Sequence, residues 1–121
     1  MAADMNAEMQ NKLMQFQQIQ QQVQVIGQQK YQVDIQITEL EKTMDELDNV
    51  KKGAEIYKSV GTILVRNDDK EALKKELEDK KETLGIRVKT LANQEKTLRE
   101  MHQNLQEELT KAFQQDEAAS E

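Results

Sequence analysis

The chain has 121 residues, a formal net charge of −6, and a composition that is 33% charged and only 3% aromatic. Its acidic balance, with Lys and Glu interleaved, argues against nucleic acid and anionic membrane as main partners, because phosphate binding requires a clustered basic surface. It contains no proline and no cysteine, and its wealth of Gln, Glu, Lys and Leu is typical of long coiled-coil helices.

A strict seven-residue repeat predicts the first helix, over about residues 5–49. The repeat is apolar except at Lys12 and Lys30, and its first set of positions is Met9, Phe16, Val23, Lys30, Ile37 and Met44. A second set follows three residues later and comprises Lys12, Ile19, Ile26, Val33, Leu40 and Leu47. A repeat sustained over about five heptads indicates a coiled coil, in which these two sets form the buried seam.

The segment AEIYKSVGTILVR, residues 54–66, predicts one β-hairpin in this otherwise helical chain. A turn centred on Val60–Gly61 places Ile56 opposite Val65, Tyr57 opposite Leu64 and Glu55 opposite Arg66. Apolar side chains then lie on both faces, and a lone two-stranded hairpin is marginal in water. We therefore expect it to join hairpins of other chains in a shared sheet or barrel.

Leucines spaced by seven predict the second helix, over about residues 69–113: they are Leu77, Leu84, Leu91, Leu98 and Leu105. The companion seam is mixed, with Leu73, Val88, Met101 and Leu109 among polar and charged residues. Asn67, Asp68 or Asp69 supplies the N-cap. Residues 114–121, QQDEAASE, are expected to form a disordered acidic tail.

Two long helices joined by a short segment should pair antiparallel. The predicted fold class is therefore mainly α: a long antiparallel two-helix coiled coil with a single central β-hairpin, in one domain over residues 1–121. Each helix would be roughly 60 to 70 Å long at ~1.5 Å per residue. Both chain ends would then lie together, far from the hairpin.

The region around the chain ends is rich in flexible apolar side chains. Four of the six methionines fall within the first fourteen residues, and both phenylalanines, Phe16 and Phe113, lie near the ends. Two interpretations remain open. Methionine suits a surface that accepts many apolar shapes, but the same residues also fit the last turns of a coiled coil.

No catalytic or metal site is expected. His102 is the only histidine and cysteine is absent, while the four glycines are scattered singly and form no phosphate-binding loop. We expect neither an enzyme nor a cofactor. The N-terminus lacks a signal-peptide pattern and no apolar run approaches the ~20 residues that span a bilayer, so we expect a cytoplasmic protein.

The order of elements resembles the β-type subunits of the prefoldin family, those of archaea in particular. The most specific pieces are IYKSVGTILVR and the helix start NDDKEALKKELEDKKETL, and the resemblance covers about residues 5–113. It implies a hexamer of two α and four β subunits. In that family the hairpins build a double β-barrel platform, and the coiled-coil ends hold non-native polypeptides and pass them to a group II chaperonin without nucleotide.

Two sets of residues follow from this resemblance. The hairpin cluster, expected to drive assembly, comprises Ile56, Tyr57, Val60, Ile63, Leu64 and Val65. The terminal cluster, expected to bind clients, comprises Met5, Met9, Leu13, Phe16, Leu109 and Phe113. The alternative function is that of a structural coiled-coil adaptor or spacer that binds one defined partner.

Overall fold

The fold consists of two long helices with a two-stranded hairpin between them in the chain. The structure is a computed structural model that describes the backbone of residues 2–120 and the side chains of residues 6–115. Its elements are α1 (Ala2–Asn49), β1 (Tyr57–Val60), β2 (Ile63–Arg66) and α2 (Lys70–Ser120). The predicted fold class, mainly α with a single central hairpin, is confirmed.

Helix α2 extends further than the sequence predicted. It continues to Ser120 rather than ending near residue 113 before a disordered tail. Residues 114–120 contain neither glycine nor proline and include two alanines, so no local signal stops the helix.

The chain divides into two compact units. The first, called the terminal unit, combines Met1–Lys30 with Thr90–Glu121, and the second, called the hairpin unit, is Tyr31–Lys89. In the terminal unit Lys12 pairs with Glu108, and in the hairpin unit Asp48 pairs with Lys74 and Glu41 with Lys81. Within the hairpin unit the partner number in α2 rises as the α1 number falls, so the two segments run antiparallel.

The predicted seam of α1 is confirmed residue by residue. Every heptad position from Met9 to Leu47 is buried or half-buried, while most positions between them are exposed. Ile19, Val33 and Leu47 are the most deeply buried of these side chains. The period of the sequence therefore determines which face of α1 packs against α2.

The companion seam of α2 differs from the prediction, because the predicted members Lys80, Arg87, Gln94 and Met101 are exposed. Met101 is exposed and His102 is half-buried in its place. The companion positions lie four residues after each leucine of the main set and include Lys81, Val88, Glu95, His102 and Leu109, each buried or half-buried. A spacing of alternately three and four residues is what keeps a helical seam facing its partner.

The predicted hairpin register was wrong by two residues. Tyr57 pairs with Arg66 and Val60 with Ile63, so Gly61 and Thr62 form a two-residue turn. Gly61 has φ +60, and no residue other than glycine has positive φ in the part of the chain described. This combination fits a type II′ turn, which needs positive φ only at its first central residue.

Among the described residues, neither helix contains a stretch long and apolar enough to cross a membrane.

Candidate functional site

The hairpin is held at its base by the three polar residues that precede α2. Asp69 Oδ1 accepts a hydrogen bond from Ala72 N at 3.0 Å, which makes Asp69 the N-cap. Asp68 Oδ1 accepts from Ile56 N at 3.2 Å, and Asn67 N donates to Ile56 O at 2.8 Å. Of the three capping candidates, one therefore begins the helix and the other two tie the strand entry to it.

A lysine from α2 satisfies the end of α1. Lys70 Nζ donates to Asp48 O at 3.2 Å and to Val50 O at 3.4 Å. Helix α1 has no basic residue in its own last turn. Its final carbonyls have no partner within the helix, and Lys70 supplies one from α2. The Lys74 ammonium group, one turn further along α2, contacts the Asp48 carboxylate at 2.9 Å, and this hydrogen bond raises the pKa of Lys74 above its ordinary value. Both contacts join the two helix ends that flank the hairpin.

The hairpin cluster is exposed, with one exception. Leu64 is 70% exposed and Ile63 59%, and Tyr57, Val60 and Val65 are also exposed. Residues directly opposite in an antiparallel pair share a face, so Val60, Ile63 and Val65 lie on one face and Tyr57 and Leu64 on the other. Both faces of the hairpin therefore carry apolar side chains, as expected, although the observed register differs from the predicted one.

Ile56 is the exception, because it is half-buried and faces inward. It lines a cavity of about 400 Å³ together with Leu47, Val50, Leu73 and Leu77. Lys58, Glu76 and Lys80 also line this cavity. Ile56 therefore helps to seat the hairpin on its own helices, whereas the other five residues of the cluster are exposed, although Tyr57 also lines this cavity.

Three ion pairs, made by Lys58 and Arg66, fix the orientation of the strands. Lys58 Nζ donates to Glu76 Oε1 at 2.6 Å and connects β1 to α2. Arg66 contacts both Glu55, at 3.6 Å, and Asp68, at 2.9 Å. The expected pairing of Glu55 with Arg66 is thus present, although Glu55 lies before β1 instead of opposite Arg66 in the ladder.

The hydroxyl of Tyr57 contacts Glu55, the residue that also pairs with Arg66. This hydroxyl donates to Glu55 Oε2 at 2.9 Å. That hydrogen bond, followed by partial burial and the negative charge of Asp68, raises the pKa of the Tyr57 phenol above its ordinary value. The phenol is therefore a neutral donor at physiological pH, and its ring stays available as exposed apolar surface.

The terminal cluster divides between seam and surface. Leu109 is 6% exposed and Met9 and Phe16 are half-buried, so these three serve as packing residues in the isolated chain. Leu13 is 41% exposed and Phe113 52%. The side chain of Met5 lies outside the described residues. The exposed apolar surface of the terminal cluster thus consists of Leu13 and Phe113, and the neighbouring Met14 is also exposed.

Leu13 and Phe113 occupy equivalent places on their helices. Leu13 directly follows the seam residue Lys12, and Phe113 directly follows Ala112, which is half-buried at the corresponding seam position of α2. In an antiparallel helix pair, residues that follow equivalent seam positions lie on the same side of the interface. The two exposed side chains therefore share one face of the terminal unit.

Phe16 packs against the single histidine. The ring centroids of Phe16 and His102 are 4.3 Å apart in a stacked arrangement. His102 Nε2 is buried and has no hydrogen-bond partner within the described part of the chain. This position makes His102 a packing residue, and no pattern in the sequence indicated its stacking partner.

The two seam lysines of α1 are matched by glutamates. Lys12 Nζ lies 3.6 Å from Glu108 and Lys30 Nζ 3.8 Å from Glu95, and Glu95 also contacts Arg99 at 3.7 Å. The Glu95 side chain is only 18% exposed. The breaks in the apolar seam are thus ion pairs that favour one alignment of the helices.

Within the described residues, no group of three or more His, Cys, Asp or Glu side chains is arranged to hold a metal ion. The described residues present an apolar hairpin and an apolar terminal face, and exposed apolar surface of this kind is typical of binding sites.

Comparison with known proteins gives a consistent result. The family model described as "Prefoldin subunit" matches residues 10–116. The prefoldin subunit beta of Thermoplasma volcanium is 38% identical over 108 residues, covering 89% of this chain and 87% of the relative. The prefoldin subunit beta of Archaeoglobus fulgidus is 43% identical over 102 residues, covering 84% and 87%.

A solved structure is similar over nearly the same span. The crystal structure of the prefoldin beta subunit from Thermococcus strain KS-1 matches with a TM-score of 0.80 and 37% sequence identity. The match covers 87% of this chain and 91% of that chain.

Proposed function

The chain belongs to the prefoldin family as a β-type subunit, and from this premise we propose that it is one subunit of a hexameric, ATP-independent molecular chaperone. The hexamer contains two α and four β subunits. It works in the cytoplasm, where it captures unfolded polypeptides and delivers them to a group II chaperonin.

The exposed hairpin is the observation that carries the assembly part of this proposal. Five apolar or aromatic side chains of the hairpin cluster are exposed, and both strands have an open edge in the two-stranded sheet described. Fully burying one such side chain contributes about 1.5–3 kcal/mol. Pairing with hairpins of other subunits would cover these faces and satisfy the open edges.

The terminal unit supports the capture part. Leu13 and Phe113 place exposed apolar surface on one face, and Met14 adds a flexible side chain beside them. Contacts of this kind bind exposed apolar groups of many different clients because they require no particular sequence. Several arms in one assembly would raise the effective affinity through multivalency.

The proposal assigns no nucleotide step, because capture by apolar surface is driven by burial alone. Release then depends on competition, with the chaperonin taking over the client. Leu109, although in the terminal cluster, is assigned a supporting role since it is buried in the seam.

Suppression of client aggregation tests the proposal. The chain is assembled with an α-type partner, and a denaturant-unfolded client is diluted into buffer with and without the assembly, in the absence of nucleotide. The proposal predicts reduced light scattering at near-stoichiometric amounts of assembly and no change when ATP is added. A structural adaptor would instead show saturable binding to one partner and leave the aggregation of unrelated clients unchanged.

A further inference from the structure

Three shallow depressions on one face of the terminal unit join into a single groove. The first, of about 480 Å³, lies between residues 15–22 and 101–105. The second and third, of about 430 Å³ each, lie between residues 18–29 and 93–98. Neighbouring depressions share residues: Gln18 and Gln22 line the first two, and Ile26, Gln94 and Leu98 line the last two. The groove is therefore continuous.

This groove, called the carboxamide groove, contains no charge. None of its fifteen lining residues is Asp, Glu, Lys, Arg or His, although 33% of the chain is charged. Ile26 and Leu98 are half-buried in the seam and form part of its floor, while Gln22, Gln29 and Gln94 are exposed along it. The ion pairs of the same unit involve none of its lining residues.

Carboxamide side chains match the polar groups of a peptide backbone. Each glutamine offers an N–H donor and a C=O acceptor, so it can bond either group of an extended chain whatever the sequence of that chain. A charged lining would repel clients of like charge and would have to be desolvated on binding. Lack of charge therefore favours a ligand recognised by its backbone.

The dimensions fit an extended segment. Residues 15–29 of α1 span about 21 Å at ~1.5 Å per residue, which accommodates about six residues of extended chain at ~3.3 Å each. A helix of a second copy fits the chemistry less well. Its backbone groups are already bonded within the helix, so it would leave the carboxamides with side-chain partners only.

We infer that the carboxamide groove binds an uncharged, extended segment of non-native polypeptide through its backbone. This inference rests on the proposed capture function and adds a second binding region to it. The groove and the terminal cluster belong to the same unit but flank opposite sides of the seam, because Gln22 and Gln29 directly precede seam positions whereas Leu13 directly follows one.

A matched pair of charge variants tests the inference in the full chain assembled with an α-type partner. The groove variant is Gln22→Glu with Gln29→Glu. The control is Gln17→Glu with Gln24→Glu, which has the same net charge and the same spacing, at exposed positions of α1 that do not line the groove. The probe is a fluorescently labelled unfolded peptide of about twelve residues built from Ser, Gly, Ala, Leu and Gln. A photoreactive residue at position 22 or 24 gives a second, independent readout.

We expect the groove variant to weaken binding of the peptide about tenfold and the control to leave it within twofold of the unmodified assembly. Photocrosslinking to the peptide should occur at position 22 and not at position 24. Equal affinities for the two variants, with the unmodified assembly still binding, would overturn the groove while leaving the proposed function intact. Crosslinks from position 22 to a second copy of this chain would also overturn it. If the unmodified assembly bound no peptide and suppressed no aggregation, the groove and the proposed function would fall together.

Discussion

Lys58 Nζ in β1 lies 2.6 Å from Glu76 Oε1 in α2, so one ion pair ties the hairpin to the helix that follows it. The hydrogen bond from Lys58, assisted by the charge of Lys80, holds the pKa of Glu76 below its ordinary value of 4.5. The stabilisation of the folded chain by ionised Glu76 is therefore complete above pH 4.5, and it is lost as the pH falls through the lowered pKa of Glu76.

Replacing this carboxylate should remove the corresponding pH dependence. We expect Glu76→Gln to lower the melting temperature at about pH 7, and to show a smaller further loss than the unmodified chain between about pH 5 and pH 3. Thermal unfolding followed by circular dichroism measures both effects. Glu82→Gln, at an exposed position of the same helix, is the control. Parallel pH profiles for Glu76→Gln and the unmodified chain would show that the ion pair does not stabilise the hairpin unit.

The seam pair of Lys30 and Glu95 should behave asymmetrically. Lys30→Leu alone leaves the largely covered Glu95 carboxylate with Arg99 as its remaining contact, so the melting temperature should fall. Adding Glu95→Leu removes that stranded charge and restores an apolar seam, which should raise the melting temperature to or above that of the unmodified chain. Thermal unfolding of both single variants and the double variant forms the cycle. A double variant less stable than Lys30→Leu would contradict this account.

His102 should limit the stability of the terminal unit. Its buried Nε2 has no hydrogen-bond partner among the described residues, and an unsatisfied buried polar group costs about 1–3 kcal/mol. We expect His102→Leu to raise the free energy of unfolding by about 1 kcal/mol, measured by denaturant titration. Gln103→Leu, at the exposed neighbouring position, should have little effect. A loss of stability in His102→Leu would mean that stacking on Phe16 outweighs the unsatisfied nitrogen.

The exposed hairpin residues should be required for assembly and not for folding of the chain. Ile63→Ser with Leu64→Ser removes two of the most exposed apolar side chains. We expect normal helical content by circular dichroism but no assembly with an α-type partner by size-exclusion chromatography. Tyr31→Ser, which also removes an exposed ring outside the hairpin, should assemble normally. Unimpaired assembly of the hairpin variant would show that the assembly interface does not depend on these two hairpin residues.

The exposed part of the terminal cluster should determine client capture. Leu13→Ser with Phe113→Ser removes about 1–2 kcal/mol of apolar burial on a client, so capture should weaken about tenfold while assembly is unchanged. Tyr31→Ser with Ile35→Ser, two exposed apolar positions of the hairpin unit, is the matched control. Binding of an unfolded, labelled client by fluorescence anisotropy compares them. The assignment fails if both double variants capture the client equally well.

Periodicity alone was enough to predict the seam of α1 and the existence of both helices. The family resemblance seen in the hairpin and in the start of α2 is confirmed. The hairpin register was not predictable from strand composition, because it depends on whether Gly61 occupies the first or the second place in the turn. A Gly at the first central position of a two-residue turn is the signal that was missed.

Exposure within the candidate sites was harder to predict than the identity of the residues. Leu13 and Leu109 look alike in the sequence, yet Leu109 is buried because it occupies a seam position, and Leu13 is exposed because it lies one residue after a seam position. The choice between Met101 and His102 depended on the same one-residue offset. The carboxamide groove could not be predicted from the sequence, because its lining comes from two segments far apart in the chain.

The mass of the protein in solution after mixing with an α-type subunit tests the central claim most directly. Analytical ultracentrifugation of the mixture should reveal one complex with the mass of two α and four β subunits. A chain that remains a monomer or simple dimer beside its α-type partner would contradict the account.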